Sequence, residues 1–203
     1  MKVAQKYSHL NGEEYLIVHH KRTLTEIYHV IESIDASIHR TKESKEKTKK
    51  GKFVYNPSSL NQAFKDLLYA KGWEEKRRDF FVSTDPNTVK LLEPLEFSEQ
   101  KTLLQGMKHP LYDSYNQTDF VKNRIAVEVQ LGKYFAVTYD LFVKHLSFYS
   151  GQIIDVGIEI VPTKNMQKFM SSGPPWFEKE VHNVLRHGRT NPPVPLLIIG
   201  IEP

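Results

Sequence analysis

The segment from Val194 to Ile201 constrains the fold more than any other part of the sequence. Six of its eight residues are Val, Leu or Ile, and it contains no charge. It is far too short to span a membrane as a helix, which needs ~20 apolar residues. Such a short apolar run is typical of a strand that is covered on both faces. We therefore expect this strand to lie inside a sheet with helices on either side.

Two earlier segments also have the pattern of strands. Apolar and polar residues alternate from Arg124 to Leu131, and the alternation returns from Ile153 to Ile160. Helices predicted over residues 135–149 and 176–186 separate these strands from each other and from the final apolar run. The order strand, helix, strand, helix, strand predicts an α/β fold with a mixed central sheet flanked by helices.

The first 110 residues indicate a helical scaffold. A helix is predicted from Leu24 to Ala36, where Thr23 and Glu26 form a capping-box pattern. The other predicted elements are a helix at 59–71 that ends at Gly72, a strand at 79–83 and a helix at 98–107. We predict one domain over residues 1–203, with this scaffold at 1–110 and the main sheet region at 111–203.

Composition excludes several classes of protein. The chain has 39% hydrophobic and 26% charged residues, as ordinary globular proteins do. It has no cysteine, which rules out disulfides, thiolate zinc sites and cysteine nucleophiles. The residues Met1 to Lys6 lack the apolar core of a signal peptide. We expect a cytoplasmic protein that does not enter a membrane.

The positive charge of the chain is concentrated in one segment. Between Arg40 and Lys52 there are seven basic residues and two glutamates, which leaves 21 basic and 22 acidic residues elsewhere. A patch of this kind attracts the phosphates of a polyanion, and salt weakens the attraction. A solvated, mobile lysine loop is the alternative interpretation.

The residues best suited to bind a metal ion lie between Asp119 and Gln130. A two-residue turn at Lys122-Asn123 would pair Asp119 near Ala126, diagonal to Glu128 on the next strand. The two carboxylates would then converge on one face, with the Val129 carbonyl between them. Oxygen ligands of this kind suit a hard cation such as Mg²⁺. The alternative is the ordinary wet face of a strand.

Histidine spacing does not favour a zinc site. His19 and His20 are adjacent, so on a strand their side chains would point to opposite faces. His182 and His187 are five residues apart, which is not the i, i+4 spacing of zinc ligands on a helix.

Asp119 with Glu128-Val129-Gln130 resembles the catalytic signature of type II restriction endonucleases of the PD-(D/E)xK superfamily, in the BglII/BstYI group. In this group glutamine stands where most relatives have lysine. The likeness extends to residues 114–122, Gly132-Lys133-Tyr134, 139–145, 154–157, 170–173 and 7–12. The resemblance to BglII covers mainly the second half of the chain, and that to BstYI-type enzymes covers nearly all of it.

The resemblance implies a homodimer that cleaves double-stranded DNA with Mg²⁺ at a short GATC-containing palindrome. For the BstYI type the site is purine-GATC-pyrimidine, cut before the guanine to leave 5′ GATC overhangs. It also implies that Asp119, Glu128 and the Val129 carbonyl hold the metal and that Gln130 positions the attacking water. Gln130 has no titratable group, so the acceptor of the proton stays open. A cognate DNA methyltransferase is expected as a separate protein.

The same resemblance indicates residues that read DNA. Lys133 could donate to guanine edges in the major groove, and the loop Ser171-Ser172-Gly173 matches a base-contacting loop in BglII. For Lys133 the alternative is an ordinary surface lysine on a turn. For the loop the alternative is a simple helix cap. Weaker candidates are Tyr115, Asn116, Arg186 and Arg189. A further carboxylate for the metal is expected, if any, from Glu74 or Glu75.

Two other functions stay open at this point. One is a sequence-specific DNA-binding protein of the same fold without catalysis, and the other is a repair or junction-resolving nuclease. The first would shift DNA on a gel but leave plasmid intact with Mg²⁺. The second would nick one strand or prefer branched DNA.

Overall fold

The computed structural model describes all 203 residues and contains eight strands. They are β1 (Lys2–His9), β2 (Lys42–Glu43), β3 (Phe53–Val54), β4 (Glu74–Phe81), β5 (Asp113–Lys122), β6 (Ile125–Val129), β7 (Val156–Pro162) and β8 (Leu196–Glu202). Six of them form one sheet in the order β1-β8-β7-β6-β5-β4, and β2 pairs with β3 separately. The inner strands β6, β7 and β8 are parallel and the outer pairs are antiparallel, so the sheet is mixed, as predicted.

Nine α-helices surround this sheet. They are α1 (Gly12–His19), α2 (Lys21–Ser33), α3 (Pro57–Ala70), α4 (Pro86–Leu92), α5 (Phe97–Gly106), α6 (Tyr134–Tyr139), α7 (His145–Ser150), α8 (Lys164–Gln167) and α9 (Phe177–Arg186). A π-helical segment, Asp140–Lys144, joins α6 to α7, and short 3₁₀ turns occupy Ala36–His39 and Lys47–Lys49. No helix is both long enough and apolar enough to cross a bilayer.

Alternate residues of the inner strands pack against different helical layers. Ile125, Val127 and Val129 of β6 join the main core, which also takes the buried faces of α2 and α3. The other face of β6 carries Ala126, which packs against Phe148 of α7. Every residue of β6 and β7 is buried because helices cover both faces. Polar side chains on the Ala126 face are therefore enclosed rather than exposed.

The last strand has the same double coverage. Leu197, Ile199 and Ile201 of β8 face the main core, and Leu196 and Ile198 face α6 and α9. This is the arrangement predicted from the apolar run. The covered α/β sheet is thus confirmed where the sequence pattern was strongest.

The sheet is not confined to residues 111–203, where the sequence placed it. The sheet takes both edge strands, β1 and β4, from the first 110 residues. The strand predicted at 79–83 begins earlier, at Glu74, and ends at Phe81. Edge strands meet solvent, so β4 can carry the charged run Glu74 to Asp79, which hides the strand pattern in the sequence.

The predicted helix at 24–36 begins three residues earlier, at Lys21, and ends at Ser33. The capping box predicted at Thr23 and Glu26 is wrong, because Thr23 lies inside the helix and is buried. Glu26 instead accepts hydrogen bonds from the Trp73 indole and the Lys122 ammonium, both at 2.8 Å. These contacts tie α2 to the outer part of the sheet.

Candidate active site

The hairpin of β5 and β6 turns through Asn123 and Arg124, whose φ angles are 51° and 63°. Two consecutive left-handed residues are what a tight type I′ hairpin requires, and Asn tolerates this conformation well. The turn predicted at Lys122-Asn123 and the pairing of Asp119 near Ala126 are therefore wrong. Lys122 is instead the last residue of β5, so the register of the whole hairpin differs from the predicted one.

The observed register places Asp119 beside Glu128, one step beyond the last pair of the hairpin ladder. The ladder pairs Phe120 with Val127, so the next residues along the two strands are Asp119 and Glu128. The backbone N–H of Asp119 donates to Oε1 of Glu128 at 3.3 Å. The two acidic residues are thus closer neighbours than the diagonal pair predicted from the sequence.

Asp119 also borders a cavity of about 200 Å³ between the hairpin, α3 and β4. Val129, Asn61 of α3 and Glu75 of β4 line the same cavity. Glu75 accepts hydrogen bonds from the Tyr69 hydroxyl at 2.8 Å and from the Lys65 ammonium at 3.3 Å. The structure therefore brings Glu75, rather than Glu74, to the cavity that Asp119 borders.

Glu128 lies on the other side of Asp119 in a buried polar network. Its side chain is 0% exposed, and Oε1 lies 2.7 Å from the Lys144 ammonium. The same ammonium lies 2.8 Å from Oδ1 of Asp140. Asp140 in turn accepts a hydrogen bond at 2.9 Å from the amide of Gln130. Lys144 and Asp140 thus link the two residues Glu128 and Gln130 through one set of contacts.

The π-helical segment positions these two side chains. The backbone N–H of His145 bonds to the carbonyl of Asp140, five residues back, instead of four. Asp140 is buried and Lys144 is partly buried against β6, while Tyr139 just before them remains exposed. Local π-helical turns of this kind are frequent at functional sites.

Burial dominates the protonation of the network. It raises the pKa of Glu128 to about 8, with the nearby Asp140 carboxylate adding to the rise and Lys144 opposing it. Burial also raises the pKa of Asp140, again against the effect of Lys144. For Lys144, burial lowers the pKa, but the two carboxylates outweigh it and the net change is a rise. One ammonium therefore serves two buried carboxyl groups.

The neighbouring strand adds a further buried carboxyl group. Glu159 of β7 pairs in register with Glu128, and its side chain has no hydrogen-bond partner. Burial raises the pKa of Glu159 well above its usual range. His145 lies 3.5 Å from this carboxyl, and burial lowers its pKa to about 3. His145 is therefore neutral at neutral pH, so its contact with Glu159 is not an ion pair.

The side chains at the hairpin fit a divalent cation with hard oxygen ligands. Oε2 of Glu128 is buried and has no hydrogen-bond partner, although Oε1 has two. An unpartnered buried carboxyl oxygen is costly unless a proton or a cation takes it. No cluster of three or more His, Asp or Glu side chains is arranged as a metal site. Two carboxylates with water completing the shell is the pattern that Mg²⁺ accepts.

The structure places Lys133 next to Ser171-Ser172-Gly173, the two main candidates for reading DNA. Lys133 is exposed and directly precedes α6. The backbone N–H of Tyr134, the next residue, donates to the carbonyl of Gly173 at 2.8 Å. The segment Ser171-Ser172-Gly173 is therefore fixed beside Lys133, although about forty residues of sequence separate them.

The four weaker candidates lie in different surroundings. Tyr115 stacks under the guanidinium of Arg77, 3.8 Å from the ring centre. Asn116 is buried and accepts a hydrogen bond from the Tyr139 hydroxyl at 2.7 Å. Arg186 and Arg189, at and beyond the end of α9, are exposed and form no ion pair within the chain. No hydrogen bond or ion pair joins any of the four to the segment 171–173.

Asp140, Lys144 and Asn61 were missed as site residues in the sequence. Asp140 and Lys144 are four residues apart in a helix rich in large apolar groups, where a charged pair facing the sheet was the available signal. Asn61 lies in a helix assigned to the scaffold, and its Oδ1 is buried without a partner. Only the packing of that helix beside Asp119 shows its place in the site.

Comparison with known proteins identifies the family and the fold. The family model described as restriction endonuclease BglII/BglIII matches residues 4–201. No curated protein matches the chain. Among solved structures, the crystal structure of restriction endonuclease BglII complexed with a DNA 16-mer has a TM-score of 0.64 at 18% identity, covering 98% of this chain and 78% of that one. The free BglII structure gives a TM-score of 0.57 at 16% identity, covering 98% and 79%.

At these identities the structural likeness establishes the fold, a mixed sheet flanked by helices as in BglII. The family match covers almost the whole chain and establishes the kind of enzyme. Restriction endonucleases of this kind generally need a divalent metal ion. The chain therefore belongs to the BglII/BglIII family of restriction endonucleases, and it is a site-specific deoxyribonuclease.

Proposed function

We propose that this protein is a homodimeric, Mg²⁺-dependent type II restriction endonuclease of the BstYI type. It cleaves double-stranded DNA at purine-GATC-pyrimidine and leaves 5′ GATC overhangs. It acts in the cytoplasm beside a separate methyltransferase that protects the host DNA. The observation that carries the catalytic part is the contact of the Asp119 backbone with Glu128, whose Oε2 is buried and unpartnered.

In this proposal Asp119, Glu128 and the backbone carbonyl of Val129 hold the metal ion. Asp119 and Val129 border one cavity, and Glu128 contacts the backbone of Asp119 from the adjacent strand. A bound Mg²⁺ supplies charge stabilisation at the scissile phosphate and lowers the pKa of a water molecule. Lys144 and the Asp119 N–H occupy Oε1 of Glu128, which leaves Oε2 for the cation.

Gln130 orients the attacking water and does not take its proton. Its Nε2 is already bonded to Asp140, so its Oε1 is the atom left to accept a hydrogen bond from water. Asp140 fixes the amide, and Lys144 fixes Asp140. Lys144 and Asp140 thus act as positioning residues for Gln130 and Glu128.

Base reading falls to Lys133 and the segment Ser171-Ser172-Gly173. The bond between the Tyr134 N–H and the Gly173 carbonyl makes them one surface, which supports a shared role at the edges of the bases. Tyr115, Asn116, Arg186 and Arg189 are left as secondary candidates for DNA contacts. The exposed, unpaired arginines of this group suit phosphates best.

A palindromic site calls for a two-fold symmetric dimer. The helix that carries the catalytic network presents exposed apolar side chains on its outer side, namely Phe135, Tyr139 and Val143, at intervals of four residues. Phe148, in contrast, is fully buried in the chain's own core. The exposed stripe supports α6 and the π-helical segment as part of the dimer interface.

Digestion of a genome of known sequence with Mg²⁺ tests this function directly. Sequencing of the fragment ends is expected to give GATC overhangs at every purine-GATC-pyrimidine site and at no other. Gel shift of DNA without cleavage would instead indicate the catalytically inactive DNA-binding protein. Single-strand nicks, or preference for branched DNA, would indicate a repair or junction nuclease.

The variant Asp119→Asn tests the catalytic assignment. It removes one metal ligand charge while keeping the size of the side chain, so we expect cleavage to fall at least ~10³-fold. Specific binding to a duplex with the site, measured without divalent metal, should persist. Full turnover in Asp119→Asn would overturn the site.

A further inference from the structure

The lysine-rich hairpin, defined here as residues 40–54, is not a free loop. It consists of β2, the 3₁₀ turn at Lys47–Lys49 and β3, with Lys42 paired to Val54 and Glu43 to Phe53. Within it, the backbone N–H of Ser44 bonds to the carbonyl of Lys52 at 2.9 Å. These bonds give the basic segment a defined shape.

The hairpin docks on the segment that we propose reads DNA. The carboxylate of Glu46 accepts a hydrogen bond from the backbone N–H of Ser172. The ammonium of Lys49 donates to the carbonyl of Met170 at 2.6 Å. Ser171 lines a cavity of about 350 Å³ whose other walls belong to the hairpin. Two polar bonds and a shared cavity thus join the hairpin to residues 170–172.

The remaining lysines of the hairpin have no internal partner. Only Lys49 forms an ion pair there, with Glu46 at 4.0 Å. Five others are exposed and form neither an ion pair nor a side-chain hydrogen bond: Lys42, Lys45, Lys47, Lys50 and Lys52. A group of unpaired ammonium ions beside a base-reading segment is suited to the phosphates that flank the bases.

We propose that the lysine-rich hairpin is part of the DNA interface and has two roles. Its free lysines bind backbone phosphates next to the recognised bases, and Glu46 holds the Ser171-Ser172-Gly173 segment in its reading conformation. This inference rests on the proposed function, since it takes that segment as the reader. It assigns the concentrated positive charge of the sequence to one partner, the sugar-phosphate backbone of a DNA duplex.

The first test compares two triple variants with the same change of charge. One is Lys45→Gln/Lys47→Gln/Lys50→Gln in the hairpin, and the control is Lys90→Gln/Lys101→Gln/Lys108→Gln at exposed positions of the α4 and α5 region. Binding to a duplex with the purine-GATC-pyrimidine site is measured by fluorescence anisotropy without divalent metal, at several salt concentrations.

The logarithm of the DNA association constant falls linearly with the logarithm of the salt concentration. Removal of one lysine that binds a phosphate makes this slope shallower by about 0.9. Because the proposed dimer carries two hairpins, the hairpin variant loses six lysines per complex, so its slope is expected to be shallower by about 5, whereas the slope of the control should change by less than about 1. Equal slopes for the two variants would overturn the phosphate role. Thermal unfolding of both variants confirms that each remains folded, which is expected because all six side chains are exposed.

The second test is Glu46→Gln, measured on the cognate duplex and on an unrelated duplex. The loss of the charged acceptor at Ser172 is expected to reduce the ratio of cognate to unrelated binding about tenfold. Binding to unrelated DNA should stay the same or rise, because a negative charge is removed. An unchanged ratio would overturn the holding role of Glu46.

The outcomes separate this inference from the proposed function. If wild-type protein shows no preference for the GATC duplex, but the hairpin variant still has a weaker salt dependence than the control, then the specificity is wrong and the phosphate role stands. If wild-type protein cuts at GATC sites and the two triple variants behave alike, the hairpin inference alone fails.

Discussion

The molecule places its charges in two opposite ways, one around Glu128 and one in the lysine-rich hairpin. Around Glu128, one buried ammonium contacts two buried carboxyl groups at 2.7 and 2.8 Å. In the hairpin, five ammonium groups stand in solvent without an internal partner. Buried charges depend on exact neighbours and resist salt, whereas exposed charges are nearly independent and strongly screened. In our proposals, catalysis belongs to the first region and the binding of DNA phosphates to the second.

Removal of one member of the buried network should have the largest effect on stability. Asp140→Ala leaves Lys144 with one carboxyl group and strips the Gln130 amide of its acceptor. We expect the free energy of unfolding to fall by about 3 kcal/mol and cleavage to fall at least ~10²-fold. Urea unfolding and timed digestion measure the two effects.

A matched surface pair provides the control for Asp140→Ala. Asp79 accepts two hydrogen bonds from Arg77 at its Oδ1, but both side chains are more than a third exposed. Asp79→Ala should therefore cost less than about 1 kcal/mol. Similar losses for the two variants would show that burial does not distinguish the regions.

The pH dependence of stability gives a smaller effect of known sign. Burial raises the pKa of Glu128 to about 8 in the folded chain, above its value of 4.5 in the unfolded chain. Folded protein then holds more protons than unfolded protein between these values, so stability is highest below pH 4.5 for this group and is lost as pH rises towards 8. The raised pKa values of Asp140 and Glu159 act in the same direction.

We therefore expect the free energy of unfolding in EDTA to fall by at least about 1 kcal/mol from about pH 5.5 to about pH 8. Glu128→Gln should reduce this slope, because the group no longer titrates. Stability that rises over this range would mean that the network is fully ionised in the folded state.

The smallest effect should come from a single exposed lysine. Lys45→Gln removes an exposed charge that forms no ion pair or side-chain hydrogen bond within the chain, so the free energy of unfolding should change by less than about 0.5 kcal/mol. Urea unfolding at low and high salt measures the change. A decrease above about 1 kcal/mol would indicate that Lys45 has a partner within the chain. The hairpin lysines would then not differ from the buried network in the way described above.

Sequence patterns predicted the parts of the fold that depend on local periodicity. The apolar run near Val194 and the alternation after Arg124 led to the covered strands β8 and β6. The edge strand β1 was missed and β4 was predicted only at its end, because solvent on one side permits charged residues there and the pairing of both strands is decided by distant segments.

Only the part of the site that lies within a single hairpin could be predicted from the sequence. Asp119 and Glu128 are nine residues apart, so a short turn was enough to bring them together, although the turn was placed one residue early. Asp140 and Lys144 meet Glu128 through the packing of a separate helix, and nothing local in the sequence indicates its π-helical segment. The link between Glu46 and Ser172 spans 126 residues and depends wholly on the tertiary fold.

A crystal structure of the protein with a cognate duplex and Mn²⁺ tests the central claim most directly, because anomalous scattering locates the ion. We predict one ion bonded to Asp119, to Oε2 of Glu128 and to the Val129 carbonyl, at the short distances typical of hard cations, about 2.1 Å for Mg²⁺. Lys144 should still contact Oε1 of Glu128. An ion bound by Asp119 and Glu75, with Glu128 left outside its coordination shell, would contradict the account.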